Sequence, residues 1–196
     1  MLYGFNLFIL LLYLLCGILV FTIHEASKAF ISAKLGDPLP KRDGRLTLNP
    51  LKHIEPIGLI IMTVWGFGWG NPVETASIYY KDRKKGTLLT YTIPSLINLF
   101  IGMLIGFFLG IIKDNTLYTI LYTFAVLNIR NALFNIIPVY PLDGAKVFAV
   151  LRSPDKAIRM ANNEKIYQML LIMLILWGIV PAVIDPVCKI LLSFGF

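Results

Sequence analysis

The sequence predicts an all-α membrane protein, a polytopic helix bundle with one short re-entrant or edge segment. Three observations carry this. Of 196 residues, 57% are hydrophobic and 15% charged, against about a quarter charged in an ordinary soluble domain. The mean hydropathy is +0.75. The apolar residues also gather into runs of roughly 20, the length a helix needs to cross the hydrocarbon layer.

The first run extends from Phe5 to Phe21, interrupted only by Asn6, and continues as HEASKAFISAKL without Pro or Gly. One helix over about 4–34 is expected, stopped by Gly36 with Pro38 beyond it. The run has no basic leader and no small-residue cleavage site, so it reads as a retained membrane helix. Residues 37–55 are a connector rich in Pro, Gly, Asp and Asn, in which Arg45-Leu46-Thr47-Leu48 alternates like a short strand. Residues 57–70, IGLIIMTVWGFGWG, are apolar but too short to cross and suggest a segment that dips in and returns. Trp65 and Trp69 read as interface anchors. Residues 87–112 and 116–137 form two spanning helices around the Lys113-Asp114-Asn115 turn. A short helix follows the Pro138/Pro141 break and runs to about 151. After a basic link (Arg152, Lys156, Arg159, Lys165), residues 166–180 re-enter the membrane, and Pro181 and Asp185-Pro186 break the last segment. There is no internal repeat, so residues 1–196 are expected to form a single membrane domain.

The formal net charge is +7. No basic patch is interleaved with exposed aromatics, so nucleic acid is not an expected partner. The basic residues collect in 34–52, 81–85 and 152–165. If 57–70 returns to the side it entered, all three loops share one face, the cytoplasmic one by the positive-inside rule, with the N-terminus outside. A multi-pass protein of the cell membrane is the expectation. Cys16 and Cys188 lie far apart in apolar surroundings and read as buried free thiols.

Two constellations carry chemistry. His24-Glu25-Ala26-Ser27-Lys28 sits near the end of the first helix. Positions i and i+4 share a helix face, so an HExxH pair offers two imidazoles to one zinc ion, with the Glu beside the metal-bound water. Here Lys28 stands at the second position, and a protonated ammonium has no lone pair to donate. Alone, His24 and Glu25 also fit a polar pair at a helix end, although ionisable residues inside a membrane helix usually face an interior site. The second constellation is Asn135-Ile136-Ile137-Pro138-Val139-Tyr140-Pro141-Leu142-Asp143-Gly144. Its Asp143 can act as a hard anionic ligand or simply serve a turn. Asn128, Asn131 and Asn135 share a helix face and can bond neighbouring backbone or a bound peptide. Arg130, off that face, is expected to snorkel to the interface.

Together, HEASKA, RLTLNPLKHIEPIG, FGWGNPV and NALFNIIPVYPLDGAKV resemble the site-2 protease family of intramembrane zinc metalloproteases, in the order of its small bacterial members. The resemblance runs from about residue 15 to the C-terminus. It implies His24 as a zinc ligand, Glu25 as the catalytic base and Asp143 as a further ligand. Lys28 departs from the pattern at the remaining ligand position. His53 matches a family loop histidine that is not a ligand. Of the family's Gly-Pro-x-x-Asn element only Asn98 is kept, within IPSLIN. Asn98, Asn135 and His53 are the candidate substrate-binding residues.

Two carboxylates in a partly dry cavity require a cation or a proton. Lys28 can supply that cation, bonding both carboxylates where the family holds zinc. A neutral Lys28 amine as ligand, or a contribution from His53, are the competing arrangements. Two functions follow. One is a catalytically impaired or inactive homologue, a pseudoprotease that binds transmembrane segments and needs no metal. The other is an active zinc endopeptidase with an unusual ligand set. A transporter is disfavoured by the lack of paired inverted repeats.

Overall fold

A computed structural model describes residues 6–151 and 162–193 of the chain. The expected helix start near residue 4, the linker residues Arg152, Lys156 and Arg159, and the last three residues lie outside the described residues.

Helix α1 covers Leu7–Lys34, capped by the Asn6 side chain and closed at Gly36, whose φ is 106°. Its burial repeats every four residues. Leu12, Cys16, Val20, His24, Lys28 and Ser32 are buried, while Leu7, Leu11, Leu15 and Leu19 are exposed. The leucine stripe faces outward and the polar residues inward, the inverse of a soluble amphipathic helix and the arrangement expected in lipid.

The connector holds a short helix α2, Leu39–Arg42, and a single 3₁₀ turn at Pro50–Lys52. The strand expected at Arg45–Leu48 does not form. The Thr47 amide bonds the Arg45 carbonyl at 2.9 Å, which bends this stretch, and no strand exists among the described residues to pair with it.

Helix α3, Pro56–Trp65, is 10 residues long, about 15 Å at 1.5 Å per residue, half the hydrocarbon thickness. Gly66 ends it in the left-handed region at φ 75°, and the chain returns in extended form. The return crosses α3 closely: a Cβ on Gly58 would lie 2.1 Å from the Trp69 carbonyl oxygen. This is the re-entrant segment the sequence suggests. Trp69, however, is in the core with Phe67, Phe134 and Leu142 and is no interface anchor, because the return leg folds inward over α3.

Helix α4, Arg83–Phe108, continues as a 3₁₀ turn to Ile111, and helix α5 is Asn115–Asn135. Asp82 and Asp114 cap their first turns. The two helices lie along one another, with α1 packed on both and α3 on α1. The start of α4 returns to the end of α1. The Tyr80 hydroxyl is 2.7 Å from the Ser32 hydroxyl and accepts a hydrogen bond from Thr90. The chain from 35 to 82 therefore begins and ends at the same end of the bundle, where the basic loops 34–52 and 81–85 also lie.

Helix α6 is Asp143–Leu151, α7 is Glu164–Leu176 and α8 is Ile179–Ser193. Among the described residues three helices, α1, α4 and α5, are long and apolar enough to span, and α7 with α8 makes up to four; that pair is bent by 67°. The bend falls at Gly178, φ 76°, and not at the expected prolines. Pro181 sits in the first turn of α8, where an amide has no intrahelical partner to lose, and Pro186 is carried inside the helix.

Candidate active site

The α1 periodicity delivers His24, Glu25 and Lys28 to the bundle interior, where α4, α5 and the start of α6 close over them. All three are buried, as is Asp143. The Lys28 Nζ donates to Glu25 Oε1 at 2.8 Å and to Asp143 Oδ1 at 2.7 Å. The remaining carboxylate oxygens are also occupied. Asp143 Oδ2 lies 2.9 Å from His24 Nε2, and Glu25 Oε2 accepts the Val73 amide at 2.9 Å. With a neutral imidazole, one cation faces two carboxylates, so the cluster carries one excess negative charge.

His24 Nδ1 lies between two asparagines, 3.2 Å from the Asn98 Oδ1 and 3.3 Å from the Asn131 Nδ2. The first is an acceptor and the second a donor, so the tautomer selects which is used. Asn98 also donates to Asn128 Oδ1 at 2.9 Å. Asn135 turns back to donate to the Asn131 carbonyl at 3.0 Å. The shared face of Asn128, Asn131 and Asn135 is therefore both a link between helices and a support for His24.

His53 is fully buried in the connector and its Nε2 donates to the Thr47 carbonyl at 2.8 Å, leaving Nδ1 without a partner. Burial holds its imidazole pKa below the ordinary value. Its carbonyl accepts the Asn71 amide at 2.8 Å, so it braces the return leg that carries Val73 to Glu25.

Three site contacts have little sequence signal. Val73 acts through a backbone amide. Asn131 has only its helical spacing. Tyr91 is an unremarkable aromatic in a membrane helix, yet its ring centre lies 5.7 Å from Lys28 Nζ. Arg130 does not snorkel. Its Nε and Nη2 each lie 3.0 Å from Asp185 Oδ1, and its guanidinium stacks 5.0 Å from the Phe67 ring. A carboxylate inside the bundle stabilises the charge more than a stretched reach to the surface.

The implied zinc can be tested against this donor set. A catalytic zinc takes three protein ligands. At the position that the family resemblance gives to one of them stands Lys28, an ammonium that donates to both neighbouring carboxylates and has no lone pair to offer. His24 Nε2 and Asp143 Oδ2 touch directly at 2.9 Å, whereas two ligands of a tetrahedral zinc stand about 3.3 Å apart. Among the described residues no group of three or more His, Cys, Asp or Glu is placed to hold a metal ion. The residues present do not fit the three-ligand centre.

Residues 3–177 match Peptidase family M50. The chain is also similar to "Putative zinc metalloprotease YwhC" of Bacillus subtilis (strain 168), with 34% identity over 164 residues, covering 78% of this chain and 74% of that protein. No solved structure matches significantly. A family match across nearly the whole chain, and an all-helical membrane bundle that brings the HExxK helix to the Leu-Asp-Gly aspartate, lead to one conclusion: the chain belongs to peptidase family M50, the site-2 protease family of zinc metallopeptidases.

Proposed function

We propose that this chain is a non-hydrolytic member of its family, a pseudoprotease that binds transmembrane segments of other membrane proteins in the cleft where its relatives cut them. The observation that carries this reading is the Lys28 ammonium, 2.8 Å from Glu25 and 2.7 Å from Asp143. In zinc peptidases the metal polarises the scissile carbonyl and lowers the pKa of its bound water, while a carboxylate takes the proton. Lys28 supplies a positive charge at the same place, but an ammonium bound to two carboxylates cannot deliver a metal-bound hydroxide. Glu25, the family's base, already accepts hydrogen bonds on both oxygens. The cation thus keeps the two carboxylates together and preserves the shape of the cleft without its chemistry. The basic loops are assigned to the cytoplasmic face on their charge.

The test compares the purified unmodified chain with Lys28→His and Glu25→Gln variants, measuring bound zinc by elemental analysis and cleavage of a membrane-spanning peptide by mass spectrometry. Expected are no stoichiometric zinc and no cleavage for the unmodified chain, and zinc uptake by Lys28→His. Stoichiometric zinc in the unmodified chain, or cleavage that Glu25→Gln abolishes, would overturn the reading in favour of an active peptidase with an unusual ligand set.

A further inference from the structure

Three pieces of chain meet at the basic end of the bundle. The Tyr80 hydroxyl lies 2.7 Å from the Ser32 hydroxyl near the end of α1. Asp37 joins α2 to the return leg: its Oδ1 accepts the Leu39 amide at 3.0 Å and its Oδ2 the Ala76 amide at 2.7 Å. A 3₁₀ turn at Ser77–Tyr79 then leads into α4. The rim so formed carries Lys34, Lys41, Lys81, Arg83, Lys84 and Lys85, all exposed. Among the described residues none of the six is paired with a carboxylate. The acids of the rim are engaged elsewhere. Asp37 is buried and bonds amides, Asp43 pairs with Arg42, and Asp82 caps the Lys85 amide at 3.0 Å. Between the cations stand Ile78, 62% exposed, and Tyr79, 48% exposed.

We propose that this rim is a binding surface for anionic phospholipid, with the cations on the lipid phosphates and Ile78 and Tyr79 wedged among the uppermost acyl carbons. Helix length sets the depth. The 26 residues of α4 extend about 39 Å at 1.5 Å each, against about 30 Å of hydrocarbon. The ends of the helix therefore stand among the headgroups, and Arg83, Lys84 and Lys85 are its first three residues. Lys34 ends α1, whose 28 residues exceed the hydrocarbon thickness in the same way. Unpaired cations at phosphate depth favour an anionic headgroup over a zwitterionic one, because a choline or ethanolamine group brings its own cation. The wedge decides between a bilayer and an acidic polypeptide. An acidic segment in water would match the lysines but leave Ile78 and Tyr79 in water, whereas a tyrosine ring at headgroup level has both of its faces accommodated. The turn between α4 and α5, at the other end, carries one cation, Lys113, and serves as the internal reference.

The test uses the full chain reconstituted in phosphatidylcholine vesicles. These contain a trace of a phosphatidylglycerol or a phosphatidylcholine probe, each with a photoreactive diazirine next to its headgroup, and adducts are mapped by mass spectrometry. The phosphatidylglycerol probe is expected to label residues 77–85 and 34–41 about three-fold or more above the phosphatidylcholine probe, since one basic residue beside an anionic surface is already worth roughly five-fold. Both probes are expected to label the Lys113 turn equally. Neutralising Lys81, Arg83, Lys84 and Lys85 together to Gln, all at exposed positions, is expected to abolish the difference, and high salt to reduce it. Ile78→Ser with Tyr79→Ser, which keeps every charge, is expected to lower labelling of 77–80 by both probes about two-fold. Equal labelling of the rim by the two headgroups would overturn the proposal, as would a preference that survives the fourfold Gln variant or labelling indifferent to the serine pair. Displacement of the phosphatidylglycerol probe by a water-soluble glutamate-rich peptide at micromolar concentration would overturn it in favour of an acidic polypeptide partner.

Discussion

The bundle holds two ionic clusters, and they are built differently. In the first, Lys28, Glu25 and Asp143 are almost fully buried, with side chains 2–5% exposed, and each charged group has more than one partner. In the second, Arg130 and Asp185 are 17% and 32% exposed, and the guanidinium rests on Phe67. The first joins α1 to α6 through groups that have no other partner for their charge. The second fastens α8 to α5 through a single pair that is only partly buried. A buried pair costs so much desolvation that it adds little net stability compared with an apolar core, yet removing one member strands the other. The central cluster is therefore a constraint on which residues can occupy the site, while the peripheral one is a fastening.

The sharpest way to break this contrast is Lys28→Met. It leaves two carboxylates facing each other without a cation, and a loss of about 3–5 kcal/mol is expected, read by denaturant unfolding in micelles. Adding Glu25→Gln and Asp143→Asn removes the stranded charges and is expected to restore most of it. A loss below about 1 kcal/mol for Lys28→Met alone would mean that the cluster is hydrated and not the constraint described. Arg130→Met should cost less, about 1 kcal/mol after allowance for its exposure, and the loss should be local. Faster amide exchange is expected in Ile179–Ser193 with little change in α1. Raising the salt concentration should erode the Arg130 contribution and spare that of Lys28; equal salt sensitivity would erase the distinction between the two clusters.

The smallest expected effect concerns His53, whose folded pKa lies below its ordinary value through burial. The unfolded chain then binds a proton more readily than the folded one as the pH falls through about 6.5, so stability rises with pH across that window. The unmodified protein is expected to lose melting temperature between pH 7 and 5.5 by more than His53→Gln does. Parallel profiles for the two would mean that burial of the His53 imidazole does not shift its titration between the folded and unfolded chain.

Much of this was legible beforehand. The long apolar runs of α1, α4 and α5 fix the membrane class, because only a helix satisfies its own backbone in lipid. The shortness of residues 57–70 already suggests a segment that dips in and returns. The i, i+4 spacing puts His24 and Lys28 on one face, and the resemblance to the family pairs that face with Asp143. Other features were hidden because they depend on partners distant in the chain or on backbone atoms. Nothing in the residues around Arg130 names Asp185, 55 positions away. Trp69 looks like an anchor until the return leg folds it under α3. The alternation at Arg45–Leu48 suggests a strand, but a strand needs a neighbour and none is there.

The sequence by itself determined that this chain is a membrane helix bundle of its family with a lysine at the position where the family resemblance implies a histidine, since composition, helical period and residue identity are local properties. Only the tertiary structure decided what that lysine touches. Whether an ammonium in a membrane helix turns to the surface or to a partner depends on which carboxylates the fold brings within reach, and here α6 carries Asp143 to one side of Lys28 while Glu25 stands on the other.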